Sequence, residues 1–343
     1  MKHFRLLAFC LSALWINVID AQDIHYTLFN MSPLTLNPAL TGAYEGTARI
    51  GGIYRDQWAN VIANSFTTPG VFLDAPIIRG FGKNDWVGVG AMNVTDEAGR
   101  FDLETTISGL SLAYHAALGD KSVFTFGLQG ARVQRKVNGA SPYVRFEDAY
   151  DVSTQSFTGT SADRGNIRAN VSYTDINAGL LFRTRMADKQ SLEIGVSAAH
   201  INAPRYSMSN VTPRNDPGTR RPLRLAAHAQ YITPLNEKWD LMPTVLLQST
   251  AGAFEGVAQA WAGYNIKKDV RINLGAGYRL GDAFQVLVGM DYEDLKVAAS
   301  YDMNVSSLAP VSKTVGGFEV SAWYVLKMYK KPDVKPVIFC PRF

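Results

Sequence analysis

Past residue 42 the chain is built on alternation. Val270, Ile272, Leu274, Ala276, Tyr278 and Leu280 fall on one side of a period of two, and Arg271, Asn273, Gly275, Gly277 and Arg279 on the other. From Gly317 to Met328, Phe318, Val320, Ala322, Tyr324, Leu326 and Met328 oppose Gly317, Glu319, Ser321, Trp323, Val325 and Lys327. Successive side chains of a strand leave the pleat on opposite faces, so this period predicts strands with one apolar and one polar face. Leu223–Ile232 and Ser172–Arg185 repeat it. About fourteen such segments can be laid out, the first over Ala43–Arg55, the seventh over Ser191–Ala203 and the last over Val315–Met328. An even count suits a bacterial transmembrane antiparallel up-and-down β-barrel, in which strands present apolar side chains to lipid and polar ones to the lumen.

The connections sort by length. Counting from a periplasmic N-terminus, every inner turn is short: 79–84, 119–121, 187–190, 234–237, 267–269 and 293–294. Every long connection falls outside: 56–65, 138–170, 204–221 and 305–314. Outer-membrane barrels carry this asymmetry, and a soluble β-sandwich has no reason to. No segment beyond the N-terminal stretch is long and apolar enough for a membrane helix.

That stretch adds a destination. Lys2, His3 and Arg5 give a short positive region, Phe4 and Leu6–Leu14 begin an apolar stretch that runs to Ile19, and small Ala21 precedes polar Gln22 and Asp23. This is the layout of a secretory signal, with cleavage expected after Ala21. The whole chain holds 34 Lys+Arg against 30 Asp+Glu. Removing Lys2, Arg5 and Asp20 leaves 32 against 29, net +3, too mild and too evenly spread for a nucleic-acid partner. Of the 2 cysteines only Cys340 would survive processing, so the mature chain cannot form an intramolecular disulfide.

Candidate chemistry is sparse. His25, His115, His200 and His228 lack metal-ligand spacing. No nucleophile elbow or phosphate loop occurs, so neither an enzyme nor a cofactor is expected. Glycines within the strands, as in Trp86–Gly90, are expected to face the lumen or let the barrel bend. Arg49, Arg55, Arg132, Asp175, Arg183, Arg185, Arg224, Arg271, Arg279 and Asp291 are expected inside the barrel, as a solute pathway or as a salt-bridge lattice that closes it. Trp58, Trp86, Tyr114, Tyr231, Trp239, Tyr264, Tyr292, Tyr324 and Tyr329 lie near strand ends, where a membrane belt needs amphipathic rings. Residues 22–42, apolar and punctuated by proline, are expected to order against the periplasmic mouth or the lumen, because an exposed tail of this composition would be an adhesive patch. The expected organisation is thus signal 1–21, N-terminal segment 22–42, barrel 43–329 and periplasmic tail 330–343. Pro332, Pro336 and Pro341 exclude a regular central strand from the tail.

Three blocks then resemble a known family. Residues 36–58 place Asn37-Pro38-Ala39 before the first strand and close that strand with Arg55, Gln57 and Trp58. Residues 300–308 followed by Gly316–Ser321, and the terminal Cys340, Pro341, Arg342 and Phe343, are the other two. Together they resemble the PorP/SprF family of type IX secretion system outer-membrane proteins. The resemblance implies an outer-membrane component that supports secretion or surface retention of large proteins of the gliding-adhesin kind, with periplasmic contacts to the secretion or peptidoglycan-associated machinery. Expected partners are membrane lipid, an exported surface protein held through its C-terminal domain, and those periplasmic components. Candidate anchors are Tyr143, Phe146, Tyr150 and Phe157 in the long outer loop, and Ile338, Phe339, Cys340, Pro341, Arg342 and Phe343 in the tail. The alternative expectation is a passive porin or small-solute channel.

Overall fold

The computed structural model describes residues 23–328, apart from 60, 62–64, 82–83, 99–102, 138–146, 159–160, 162, 188–189, 214 and 308. Fourteen antiparallel strands close into a barrel in simple up-and-down order. They are β1 (Ala48–Gln57), β2 (Phe66–Phe81), β3 (Asp85–Ala98), β4 (Leu103–Ala117), β5 (Ser122–Val137), β6 (Asn170–Ala187), β7 (Gln190–Ala199), β8 (Arg224–Pro234), β9 (Trp239–Thr250), β10 (Ala253–Lys267), β11 (Val270–Arg279), β12 (Ala283–Tyr292), β13 (Leu295–Asn304) and β14 (Val315–Leu326). The seam joins β1 to β14, with Ala48 opposite Leu326 and Gln57 opposite Gly317. Closure removes the unpaired edges that an open sheet would present to lipid.

Two of the boundaries that differ from the sequence expectation have a clear local cause. The first strand begins at Ala48, because Ala43 is buried among Ala39, Leu40 and Leu181 inside the barrel. The seventh stops at Ala199. His200 and Ala203 take positive φ (63° and 43°), which a strand cannot continue.

Apolar side chains face outward, and aromatic rings bound them above and below. On the periplasmic side stand Tyr114, Tyr231, Trp239, Tyr264, Tyr292 and Tyr324; Trp239 packs on Tyr264 at 4.9 Å. On the outer side stand Tyr54, Phe254, Tyr278, Phe284, Tyr301 and Phe318, with Tyr278 and Phe284 also 4.9 Å apart. Phe284 and Tyr292 bound β12. Eight residues at about 3.4 Å each, tilted by about 40°, give a band about 20 Å tall, close to that of outer-membrane barrels.

Two inferred orientations need correction. Trp86 shares its parity with Gly88 and Met92 and faces the lumen, where it stacks on His115 at 4.4 Å. Arg132 shares its parity with Phe124, Phe126 and Leu128 and faces outward, bonded to the Ser172 hydroxyl. It does so without entering lipid because β3–β6 outrun the membrane. Above the apolar band their outer faces turn polar: Asn93, Thr95 and Glu97; Ser108, Thr106 and Glu104; Arg132, Gln134 and Lys136; Thr174, Ser172 and Asn170. Arg185 sits at the periplasmic end with its side chain 67% exposed, 3.8 Å from Glu45. Tyr329 lies outside the described residues.

Candidate functional site: the filled lumen and its two mouths

The N-terminal segment is the core of the barrel. Asp23 lies at the outer end, held by Arg221, by Arg224 Nε (3.6 Å) and by His200 Nε2 (3.0 Å). The chain then descends the whole lumen and leaves at the periplasmic rim to begin β1. Leu28, Phe29, Met31, Leu34 and Leu40 are buried. At about 1.5–3 kcal/mol each, these five contribute on the order of 10 kcal/mol. Proline dictates the local form. Pro33 opens one helical turn (Pro33–Leu36), Pro38 opens another (Pro38–Leu40), and neither turn can extend.

The Asn-Pro-Ala turn docks on a patch of glycine. Fully buried Asn37 accepts from Ala39 N (2.9 Å) as the cap of its own turn. Its Nδ2 donates to Leu180 O (3.1 Å) and Val196 O (3.2 Å) and lies 3.2 Å from His228 Nε2. The wall comes this close because lumen-facing positions there have no side chain. A Cβ at Gly127 would strike Ala39 N, one at Gly179 would strike Asn37 Oδ1, and one at Gly88 would strike Thr41 O.

Arg55 organises a second anchor. Glu319 accepts Thr27 N and Leu28 N, both at 2.7 Å, and pairs with Arg55 Nη1. The Thr27 hydroxyl donates to Asp302 (2.8 Å) and accepts from Arg279 Nη2 (2.8 Å). Thr27 O accepts from Gln259 Nε2 (2.8 Å). Each charge is therefore bonded to the plug or to a neighbour that is, which makes its burial tolerable. Lower down, Asp74 accepts Gly42 N (2.7 Å) and a bidentate pair from Arg49. His115 Nε2 donates to Thr41 O (2.8 Å) and Trp86 Nε1 to Gly42 O (2.9 Å).

The inward charges thus form neither an open pathway nor a simple cross-lumen lattice; most of them clamp an inserted segment. What remains of the lumen is two vestibules. The periplasmic one has a volume of about 1170 Å³; the turn residues Asn84–Trp86 and Gly119–Ser122 lie at its mouth and Met31, Met242 and Trp261 at its roof. The outer one, about 340 Å³, lies between the plug start, the β3–β5 wall, Tyr206 and Arg221.

The proposed partner contacts divide by location. Tyr150 and Phe157 face each other at 5.0 Å on a short outer hairpin, both partly exposed. At its tip the Ser153 hydroxyl (2.6 Å) and the Ser153 amide (2.8 Å) donate to Asp151, which holds that carboxyl below the ordinary carboxylate range. Tyr143, Phe146 and the tail residues Ile338 to Phe343 lie outside the described residues, as does the expected signal. Of the motif residues, Asn37 and Pro38 belong to the plug and Arg55 clamps it. Gln57 Oε1 accepts from Arg55 Nη2 (3.2 Å). Trp58, at φ 62°, ends β1 and meets Phe66 edge-on at 5.5 Å. Among the described residues no cluster of His, Cys, Asp and Glu could hold a metal.

A closed barrel with girdles, sorted loops and a lumen filled by its own N-terminal segment defines an outer-membrane protein of the plugged-barrel class. A family profile described as type IX secretion system membrane protein PorP/SprF matches residues 18–324. The chain belongs to the PorP/SprF family, which ties it to type IX secretion. Among solved structures it is similar to the Ralstonia pickettii toluene transporter TbuX (10% identity, TM-score 0.51, 87% of this chain and 94% of that one). It is also similar to the monoaromatic hydrocarbon channel CymD (11%, 0.52, 88% and 94%). At these identities the likeness is one of fold. No curated protein sequence matches the chain.

Proposed function

We propose that this protein is a scaffold rather than a conduit: a closed barrel that captures an exported surface protein outside and contacts the secretion machinery in the periplasm. The observation that carries this reading is the bonding of residues 23–47. They are held by both charge and shape, with Asn37, Thr27 and Thr41 fully buried, and they separate the two vestibules. A barrel filled in this way spends its polar inner wall on holding a segment, not on conducting solute. The outer hairpin and the loop over Pro204–Arg221 offer the contact surface, since loops on a rigid frame carry binding. Tyr150 and Phe157 are the described anchors, with Tyr143 and Phe146 beside them in sequence. The tail from Lys330 to Phe343 follows a strand that ends on the periplasmic side and is assigned the machinery contact.

Affinity capture of the tagged protein from mildly solubilised membranes tests this. A large exported surface protein should co-purify. Recovery of the barrel alone, under conditions that keep other membrane complexes intact, counts against it. The second reading, a solute channel, draws on the similarity in fold to hydrocarbon channels and requires the plug to move.

A further inference from the structure

The lipid-facing wall has a notch in its outer half. On β5, Phe124, Phe126 and Leu128 climb the outer face, and the next outward position, Gly130, has no side chain. A Cβ there would meet nothing within 4 Å. In register with Gly130 stand Leu110 on β4 and Ile176 on β6, 72% and 43% exposed. Leu110 is bare on its other side too, where its partner on β3 is Ala91. Strands lie about 4.8 Å apart, so the two residues flanking the gap stand about 9.6 Å from each other. A hydrocarbon chain packs about 4 Å from carbon on either side. The gap therefore has the width of one acyl chain.

Arg132 closes the top of this slot, two residues further on and about 7 Å along the strand. Its Nη2 donates to Ser172 Oγ. Its register neighbours are Ser108 and Thr174, so hydroxyls flank it on both sides. Ser108 Oγ accepts from Asn93 Nδ2 (2.8 Å), which leaves its own proton free to donate. Among the described residues Arg132 makes no ion pair. Glu104, the acidic residue of β4, lies opposite Lys136 and pairs with it at 3.5 Å. A guanidinium with unused N–H donors, set among hydroxyls, fits a phosphate, whose oxygens it takes two at a time.

Position selects the ligand class. The slot opens sideways into the apolar band, where its neighbour is hydrocarbon. Arg132 stands where that band ends and headgroups begin. A free anion would use the guanidinium and leave the slot empty; an apolar ligand without charge would do the reverse.

We infer that the outer face of β4–β6 is a binding site for a phosphate-bearing lipid of the outer leaflet. The phosphate sits on Arg132 with the Ser108 and Thr174 hydroxyls beside it, and one acyl chain lies over Gly130 between Leu110 and Ile176. This site is on the lipid side of the wall and is independent of cargo capture by the outer loops.

Native mass spectrometry of the full-length protein in detergent tests it, with lipid A carrying two phosphates as the probe and its dephosphorylated form as the comparison. The expected result is one saturable lipid A per barrel. Binding should weaken about tenfold in Arg132→Gln, as loss of a charge-assisted contact predicts, and likewise with the dephosphorylated lipid. Gly130→Leu, which fills the slot, should weaken it while leaving Arg132 in place. Heat-modifiable migration verifies folding, and Ile176→Trp closes the slot from the other side if Gly130→Leu does not fold. Lys136→Gln should have little effect, and millimolar inorganic phosphate should not displace the lipid. Absence of saturable binding overturns the proposal, as does binding unchanged in Arg132→Gln or in the slot variant. An equal loss in Lys136→Gln overturns it in favour of diffuse charge attraction, and displacement by inorganic phosphate overturns it in favour of a free-anion site.

Discussion

Replacing Glu319 with alanine asks how firmly the plug is held. This carboxylate is fully buried and takes three donors at once: Thr27 N and Leu28 N at 2.7 Å, and Arg55. Its removal strands two amides at about 1–3 kcal/mol each. It also leaves Arg55 with Asp302, 3.8 Å away, as its one ion-pair partner among the described residues, where breaking a buried pair costs about 3–5 kcal/mol. These effects overlap, since Asp302 can shift toward Arg55 and water can reach the amides. The expected loss is therefore about 4–6 kcal/mol, a large part of the roughly 5–15 kcal/mol that stabilises an ordinary domain. Glu319→Gln keeps the shape and one acceptor and should lose about half as much. Denaturant unfolding in detergent, followed by heat-modifiable migration, measures both. Adding Arg55→Ala to Glu319→Ala should cost little more, because the stranded cation is removed with its cause. A loss below about 1 kcal/mol in Glu319→Ala, with the plug still protected from protease, would refute the claim that this cluster anchors the segment.

Other consequences follow from the same contacts. Gly127→Leu places a side chain against Ala39 N and Pro38 C, backbone atoms that cannot swing aside. The expected cost is about 1–3 kcal/mol, with increased proteolysis of residues 23–47, and limited digestion reads it directly. Tyr150→Ala with Phe157→Ala should leave barrel stability unchanged within about 0.5 kcal/mol while reducing recovery of the exported partner in affinity capture. Deleting Val337–Phe343 should leave a heat-modifiable barrel in the membrane but impair surface display. A barrel that fails to insert would instead assign those residues to assembly.

Much of this fold could be read from alternation. Three strands, β5, β12 and β13, lie at the expected residues, and the rest shift by a few positions. Alternation carried further would also have placed Arg132 correctly, since Phe124, Phe126 and Leu128 share its parity. A barrel strand confines charge to its inner face only within the bilayer, and β5 outruns the bilayer at Arg132. Trp86 misled for a related reason. An amphipathic ring at a strand end reads as a belt residue, yet its parity with Gly88 and Met92 turns it inward. The plug was legible as a segment that needed burial but not as a fit. Asn37 bonds to carbonyls on Leu180 and Val196, and no local pattern encodes contacts at such separations. One signal was available: glycines at inward positions of neighbouring strands, Gly88, Gly127 and Gly179, mark a wall approached closely by other backbone. The motif residues Asn37 and Arg55 proved to be neighbours of one structural device, while the outer hairpin carries only two of the four aromatic anchors among the described residues.

The claim that the barrel is a closed scaffold is tested most directly by planar-bilayer conductance of the intact protein. The account predicts a silent membrane, because the Thr27, Asn37 and Asp74 anchors keep residues 23–47 across the lumen. A large, steady current from intact wild-type protein would contradict it and return the chain to the channels it resembles in fold.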